Sequence, residues 1–289
     1  MSLSQEEEEA RKAAARPEAW RFYRETLGGA RYFLAPMAGC SGLAFRLLCR
    51  RHGTHAGVGP MINSGVYARA ANAPFRRSAF ESCAADAPAL AQLCGSDADA
   101  MVEAAQDLAA GGRCAAVDVN LGCPQRVARR GAYGAFLAAD PARAGALVAR
   151  LVREARVPVT CKMRLADDLP ATIALARTLQ DAGCLLLTVH GRTRAQTNPR
   201  TSPANWEHIA RVVFVVAILV HVLSLLVTCL CLHAGKTLIF LSSQMAASAH
   251  WQMHSAVSPS PALRASCLAV CKIKRKALSP SDDVDVGDS

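Results

Sequence analysis

No Cys-x-x-Cys pair occurs among the twelve cysteines of this sequence, and their spacings follow no regular interval. That argues against a disulfide framework and against a structural zinc site. Cys49, Cys94, Cys114, Cys161 and Cys184 lie inside apolar runs, where a reduced cysteine behaves as a small hydrophobe. No Gly-x-Gly-x-x-Gly follows an early strand, which disfavours a dinucleotide-binding Rossmann domain, and no Gly-x-x-x-x-Gly-Lys phosphate loop is present. Glu6–Glu9 put acid where a secretory or transit segment wants basic or apolar residues, so the expected compartment is reducing and cytoplasmic, with the nucleus as a second address. Charged residues make up only 19% against 52% apolar, too hydrophobic a balance for disorder. The net charge of +10 hints at an anionic partner, nucleic acid or anionic membrane.

What the chain does have is a repeated grammar. Residues 1–29 read as a solvated N-terminal helical extension ending at Gly28–Gly29, with Trp20, Phe22 and Tyr23 as a patch for docking. Apolar runs then occur at Tyr32–Ala35, Val58–Ile62, Ala89–Leu93, Ala115–Asn120, Pro158–Met163 and Leu185–His190. Helical patterns follow at Ala44–Arg51, at an Asp97-capped segment to Ala110, at Pro141–Ala155, Pro170–Ala182 and Pro203–Arg211. Strand, loop and helix in succession, with nearly continuous apolar strands, predict an α/β fold with a parallel sheet covered by helices. The reading is a TIM-type (β/α) barrel over residues 30–211, incomplete, with six clear units and the last two atypical.

Polar residues stand at the strand ends in register: Pro36 and Met37 at the first, Gln92 at the third, Asn120 and Cys123 at the fourth, Lys162 and Arg164 at the fifth, His190 and Arg192 at the sixth. One such residue is usually a satisfied structural group; a Gln, an Asn, a Lys and a His at four strand mouths would converge on one cavity. The set lacks paired carboxylates, which disfavours glycosidase chemistry, and no metal site is expected. Amides, one cation and an imidazole suit a planar heterocycle with carbonyl and ring-nitrogen edges, such as a flavin. The thiol of Cys123, taken alone, could be nucleophile, metal ligand, proton donor or inert packing.

Ala35-Pro-Met-Ala-Gly39, Ala91-Gln-Leu-Cys-Gly95, Asp118-Val-Asn-Leu-Gly-Cys-Pro124, Cys161-Lys-Met-Arg164 and His190-Gly-Arg-Thr-Arg-Ala-Gln196 resemble the tRNA-dihydrouridine synthases in order and spacing, from Trp20 to Arg211. Asp118–Gln125 and Arg129–Phe136 are most similar to the eukaryotic sub-type acting in the tRNA D-loop, at positions 16/17. The resemblance implies an FMN-dependent reduction of the uracil C5=C6 bond, with NADPH or NADH reducing the flavin and flavin N5 passing hydride to C6. Cys123 would then protonate C5; a thiol with the ordinary cysteine pKa of about 8.5 still carries its proton at neutral pH. Pro36, Met37 and Ala38 would lie against the flavin ring, and Gln92 would pair with its pyrimidine edge. Lys162 would face N1 and O2, His190 would hydrogen-bond the cofactor, and Asn120 would hold flavin or uracil. Arg164, Arg192, Arg194 and Gln196 would meet tRNA, with Arg126, Arg129 and Arg130 as further candidates.

After Arg211 the resemblance stops. The family continues with a seventh strand ending in an Asn-Gly loop and an eighth with a glycine-rich end, and these loops hold the FMN phosphate. Here Val212–Val220 is followed by no Asn-Gly, and Gly235 stands alone before Lys236. Residues 212–241 read as an apolar segment: an aberrant seventh strand on its β-branched content or, second, a membrane span through Val212–Leu232. Residues 242–289 read as an irregular tail, and the break itself as an alternative C-terminus. A flavoprotein reducing a free pyrimidine and a non-catalytic product (a tRNA-binding or membrane-tethered remnant) stand as the rival readings.

Overall fold

The computed structural model describes residues 17–70, 73–198, 201–216 and 219–223. The expected tail, residues 242–289, and the first sixteen residues of the expected N-terminal helix lie outside them, as do residues 224–241 of the apolar segment.

Eight strands form one parallel sheet: β1 Phe33–Leu34, β2 Ala56–Val58, β3 Ile62–Asn63, β4 Ala89–Cys94, β5 Ala116–Leu121, β6 Val159–Arg164, β7 Leu186–His190 and β8 Leu219–Leu223. The spatial order is β1-β2-β4-β5-β6-β7-β8, with β3 beside the end of β4. α1 Pro17–Arg21 precedes the first strand, and between the strands run α2 Leu43–Arg51, α3 Ser64–Arg69, α4 Ala73–Ala79, α5 Ala98–Ala110, α6 Arg126–Arg130, α7 Pro141–Glu154, α8 Leu169–Asp181 and α9 Trp206–Val215. This is an incomplete (β/α) barrel of TIM type: among the described residues no pairing joins β8 back to β1.

Each strand faces two ways because its side chains alternate. Ala91 and Leu93, Val117, Val119 and Leu121, Cys161 and Met163, Leu187 and Val189 point outward and form one core with Met101, Leu108, Leu147, Leu151, Leu175 and Leu179 of the covering helices. Their alternate partners line the hollow of the barrel. Side-chain caps start the long helices: Asp97 on α5, Asp140 on α7 with Pro141 at its first position, and Asp168 on α8.

The inward face changes character along its length. At the strand starts it is apolar, and Leu90, Ala116 and Leu186 meet Phe22, Leu27 and Ala30 there. The aromatic patch expected on the N-terminal segment is therefore the floor of the barrel, with Trp20 and Tyr23 packed at its rim. Towards the strand ends the same face becomes polar.

Three expectations need correction. The run Val58–Ile62 is two strands, because Pro60 has no N–H to give the ladder between them. The last helix starts at Trp206, capped by Asn205, whose side chain accepts from the His208 amide at 3.0 Å, and continues past Arg211 to Val215. Val212 to Val215 are thus helical despite their β-branching: Ile209, Val212 and Val213 are buried in the core, and that packing outweighs a weak intrinsic preference. The strand of this segment is Leu219–Leu223, paired in parallel with β7 from Leu186↔Leu219 to His190↔Leu223. Among the described residues no helix is long and apolar enough to cross a membrane.

Candidate active site at the strand mouths

The polar layer begins with Asp118, the single carboxylate on the inward faces of β4 to β7. It is buried, accepting from Thr160 Oγ1 at 2.7 Å and from Gln92 Nε2 at 2.8 Å. Burial raises its pKa; the two hydrogen bonds and the Lys162 charge act the other way. Gln92 in turn accepts from Asn120 Nδ2 at 2.8 Å. Asn120 Oδ1 then accepts the backbone N–H groups of Gly122 at 3.1 Å and Cys123 at 3.0 Å. Four side chains from three strands thus form one unbroken chain that ends on the loop carrying the thiol.

Cys123 is gripped from its other side by residues 133–135. Gly134, at φ +64, lies so close that a Cβ there would stand 2.7 Å from the Cys123 carbonyl oxygen and 3.0 Å from its Cβ. The Ala135 amide donates to that carbonyl at 3.1 Å. Tyr133 is buried beside Cys94 and Cys123, and its phenol pKa is pushed up to about 12, chiefly by burial. Gly134→Ala is expected to cost about 1–2 kcal/mol from the left-handed backbone alone. It would also push Cys123 out of place, and a displacement near 1 Å can cost on the order of 10²-fold in rate. Thermal melting and turnover of the same variant check the two effects separately.

Cations surround the mouth. Lys162 is the register partner of Asn120 on the neighbouring strand, and its Nζ lies 3.7 Å from where a Cβ at Gly122 would stand, beside the thiol loop. Burial lowers its pKa to about 8, the Asp118 carboxylate opposing and the Arg164 charge reinforcing the drop. His190 is buried, and its pKa is pushed down to about 2 by burial and by the charges of Lys162, Arg164 and Arg192. It is a neutral imidazole at every working pH, and among the described residues its Nε2 has no hydrogen-bond partner.

The arginines of the rim are tied into the loops. Arg164 donates through Nε to the Gly122 carbonyl at 2.8 Å and through Nη1 to the carbonyls of Thr193 at 3.1 Å and Gln196 at 3.3 Å. Its pKa falls to about 10 through burial and the Arg192 charge. Arg194 stacks over Phe136 at 5.2 Å, and Gln196 Oε1 accepts the Thr193 amide at 2.9 Å. Arg192 is buried, its carbonyl accepting the Leu165 amide at 3.1 Å. Together these residues brace the loop after β7 against the loop after β5.

Gln92, Asn120, Cys123, Lys162 and His190 therefore come together at one mouth. Pro36 lines the hollow below them with Asp118, Thr160 and Thr188. Met37 lies in the adjoining turn, its amide donating to Ser41 Oγ at 2.9 Å, and Ala38 is exposed. Sequence reasoning assigned no role to Asp118, Thr160 or Tyr133. The period-2 alternation through Val117–Asp118–Val119 is the signal that puts Asp118 inside the barrel. Among the described residues no cluster of three or more His, Cys, Asp or Glu could hold a metal ion.

Comparison with known proteins gives the family. Residues 33–222 match the family model for dihydrouridine synthases. A mouse protein named tRNA-dihydrouridine(16/17) synthase [NAD(P)(+)]-like is 43% identical over 195 residues, covering 68% of this chain and 41% of the mouse protein. The tRNA-dihydrouridine(16/17) synthase [NAD(P)(+)] of Saccharomyces cerevisiae is 36% identical over 188 residues, covering 64% of this chain and 44% of the yeast protein. In Pseudomonas aeruginosa, tRNA-dihydrouridine synthase B is 36% identical over 185 residues, covering 63% and 54% respectively. The chain thus spans less than half the length of the mouse and yeast relatives. With a family match over 33–222 and the motif residues gathered at one strand mouth, this chain belongs to the dihydrouridine synthase family.

Proposed function

We propose that this chain reduces the C5=C6 bond of uridine in the tRNA D-loop, at positions 16/17, with NADPH or NADH as reductant, FMN as the group that carries the hydride, and Cys123 as the proton donor. The positions and the nicotinamide come from the names of the mouse and yeast relatives. The observation that carries the chemistry is the pairing, at one mouth, of a half-buried thiol with an ammonium and a neutral imidazole whose Nε2 has no partner among the described residues.

Those residues fit the ring of a flavin, whereas the sequence after Arg211 lacks the Asn-Gly and glycine-rich loops with which the family holds the FMN phosphate. His190 Nε2 is a buried polar atom that needs a partner, and Lys162 supplies a cation for the N1–O2 edge. When bound, FMN supplies the two-electron transfer that no side chain can perform. The chain's own residues do the rest. Asn120 and the Tyr133–Ala135 clasp hold the Cys123 backbone at the mouth, with its half-buried side chain packed beside Tyr133. Lys162 stabilises negative charge beside it, and the apolar floor of Leu90, Ala116 and Leu186 keeps water from entering below. The target base must be swung out of the tRNA, at a cost of about a few kcal/mol, and the basic rim offsets this by holding phosphates. A tRNA substrate suits a cytoplasmic or nuclear protein.

Two measurements test this reading. The first is FMN content after purification together with dihydrouridine formation on tRNA and on free uridine. Activity on tRNA alone supports it, activity on free uridine would replace it with pyrimidine reduction, and a colourless, inert protein would leave a tRNA-binding remnant. The second is the pH profile. Lys162 loses its charge as pH rises past about 8, so kcat/KM for tRNA should fall above that value by roughly tenfold per unit. The deficit of Lys162→Met relative to wild type should be largest below pH 8 and shrink above it, where wild type loses the same charge.

A further inference from the structure

We propose that Asp118 is the positioning residue of this site: its carboxylate sets the direction of the hydrogen-bond chain Asp118–Gln92–Asn120 and thereby holds the loop that carries Cys123. The inference rests on the site assignment above but on no step of the reaction. A side-chain amide is a donor at one end and an acceptor at the other, so a row of two amides can run either way. An ionised carboxylate can only accept. With Asp118 accepting from Gln92 Nε2 at 2.8 Å, Gln92 must turn Oε1 towards Asn120. Asn120 must then give Nδ2 to Gln92, which leaves Oδ1 for the amides of Gly122 and Cys123. Reversal of the row would set the Asn120 NH₂ against two backbone N–H groups and release the loop. Thr160 donates to the other carboxylate oxygen at 2.7 Å, so it anchors Asp118 without deciding the direction.

This separates a polarity role from mere packing. Asp118→Asn keeps the shape but brings an NH₂ into the row; Thr160→Val removes one hydrogen bond and keeps the polarity. Asp118→Asn combined with Gln92→Glu moves the carboxylate one place along the row. The introduced carboxylate then accepts from the introduced amide on one side and from Asn120 Nδ2 on the other, and Asn120 Oδ1 faces the loop again. The readout is the alkylation rate of Cys123 by iodoacetamide, resolved by peptide mass spectrometry, with the exposed Cys83 of the same molecules as reference. It needs no flavin, nicotinamide or tRNA, so failure of the proposed activity leaves it standing. The expected result is a rise of about tenfold in relative Cys123 reactivity for Asp118→Asn, corresponding to about 1.4 kcal/mol of lost loop restraint. The double variant should return to within about twofold of wild type, and Thr160→Val should stay there. Wild-type reactivity in Asp118→Asn would overturn the proposal, as would a folded double variant that fails to return. Should Asp118→Asn not fold, the double variant decides alone: it must fold with wild-type Cys123 reactivity, and its failure to do either rejects the proposal.

Discussion

Cys123→Ala is expected to lower dihydrouridine formation by about 10²–10⁴-fold, the usual weight of a positioned general acid, while NADPH oxidation by the FMN-loaded protein continues. The split follows from where the thiol stands. Its backbone is fixed on both sides, by Asn120 Oδ1 on the amide and by Ala135 N–H on the carbonyl, so removal of one sulfur atom leaves the loop in place. The neighbouring groups cannot take over. His190 holds no proton to give as an imidazolium, and Arg164 has its guanidinium committed to three carbonyls. Lys162 is the cation beside the thiol loop, and surrender of its proton would remove the charge assigned above to the proposed flavin. Cys123→Ser keeps the shape with a far weaker acid and should fall between wild type and alanine. Single-turnover reduction of tRNA, followed beside stopped-flow absorbance of the flavin, distinguishes loss of the proton donor from loss of binding. Equal losses in both half-reactions would remove Cys123 from the role of acid.

The parts of this site that could be read in the sequence are those set by local periodicity. Strand alternation puts Gln92, Asn120, Lys162 and His190 on one face, and turn residues end each strand there, so their convergence follows once the strands lie parallel. Partner choice is a different matter. Asp118 sits in the same motif, yet nothing local says that it spans to Thr160 on one strand and Gln92 on another. The Tyr133–Ala135 clasp is invisible for a similar reason: the chain must first reverse at Gly131 before Gly134 can meet Cys123. Long arginines are the least legible, since the same side chain can reach solvent or turn back. Arg164 turns back onto three carbonyls, which the sequence cannot distinguish from an arm extended to RNA. Helices of five to seven residues, α3, α4 and α6, carry too few turns for a period to emerge. The extension of α9 to Val215 went unread because burial against α8 and β8, not propensity, decides it.

The largest effect on folding is expected far from the thiol, at Asp86→Ala. Asp86 is fully buried and, among the described residues, is the only anion paired with two arginines of α2. Arg46, itself 1% exposed, donates to Asp86 Oδ2 through Nε at 3.0 Å and Nη2 at 2.7 Å, and also reaches the carbonyls of Ser41 and Glu81. Arg50 lies against Asp86 Oδ1 at 3.4 Å and donates to the Asp86 and Pro88 carbonyls. The Arg46 stem packs on the backbone of β2, where a Cβ at Gly57 would stand 2.9 Å from its Cδ, and its guanidinium lies 5.0 Å from the Phe80 ring. Buried this way, the Arg46 charge has no bulk water to take the place of the lost carboxylate. Loss of one partner from a buried pair costs about 3–5 kcal/mol, because the remaining charge keeps its desolvation penalty and loses its compensation. At roughly 2–4 °C per kcal/mol for a domain of this size, melting should fall by about 6–20 °C. Asp86→Asn retains acceptors and should lose less, whereas Arg46→Met combined with Asp86→Leu removes the charges together and should recover part of the loss. Thermal denaturation of the three variants checks the order; an Asp86→Ala protein that melts with wild type would mean that α2 is held to the sheet by packing alone.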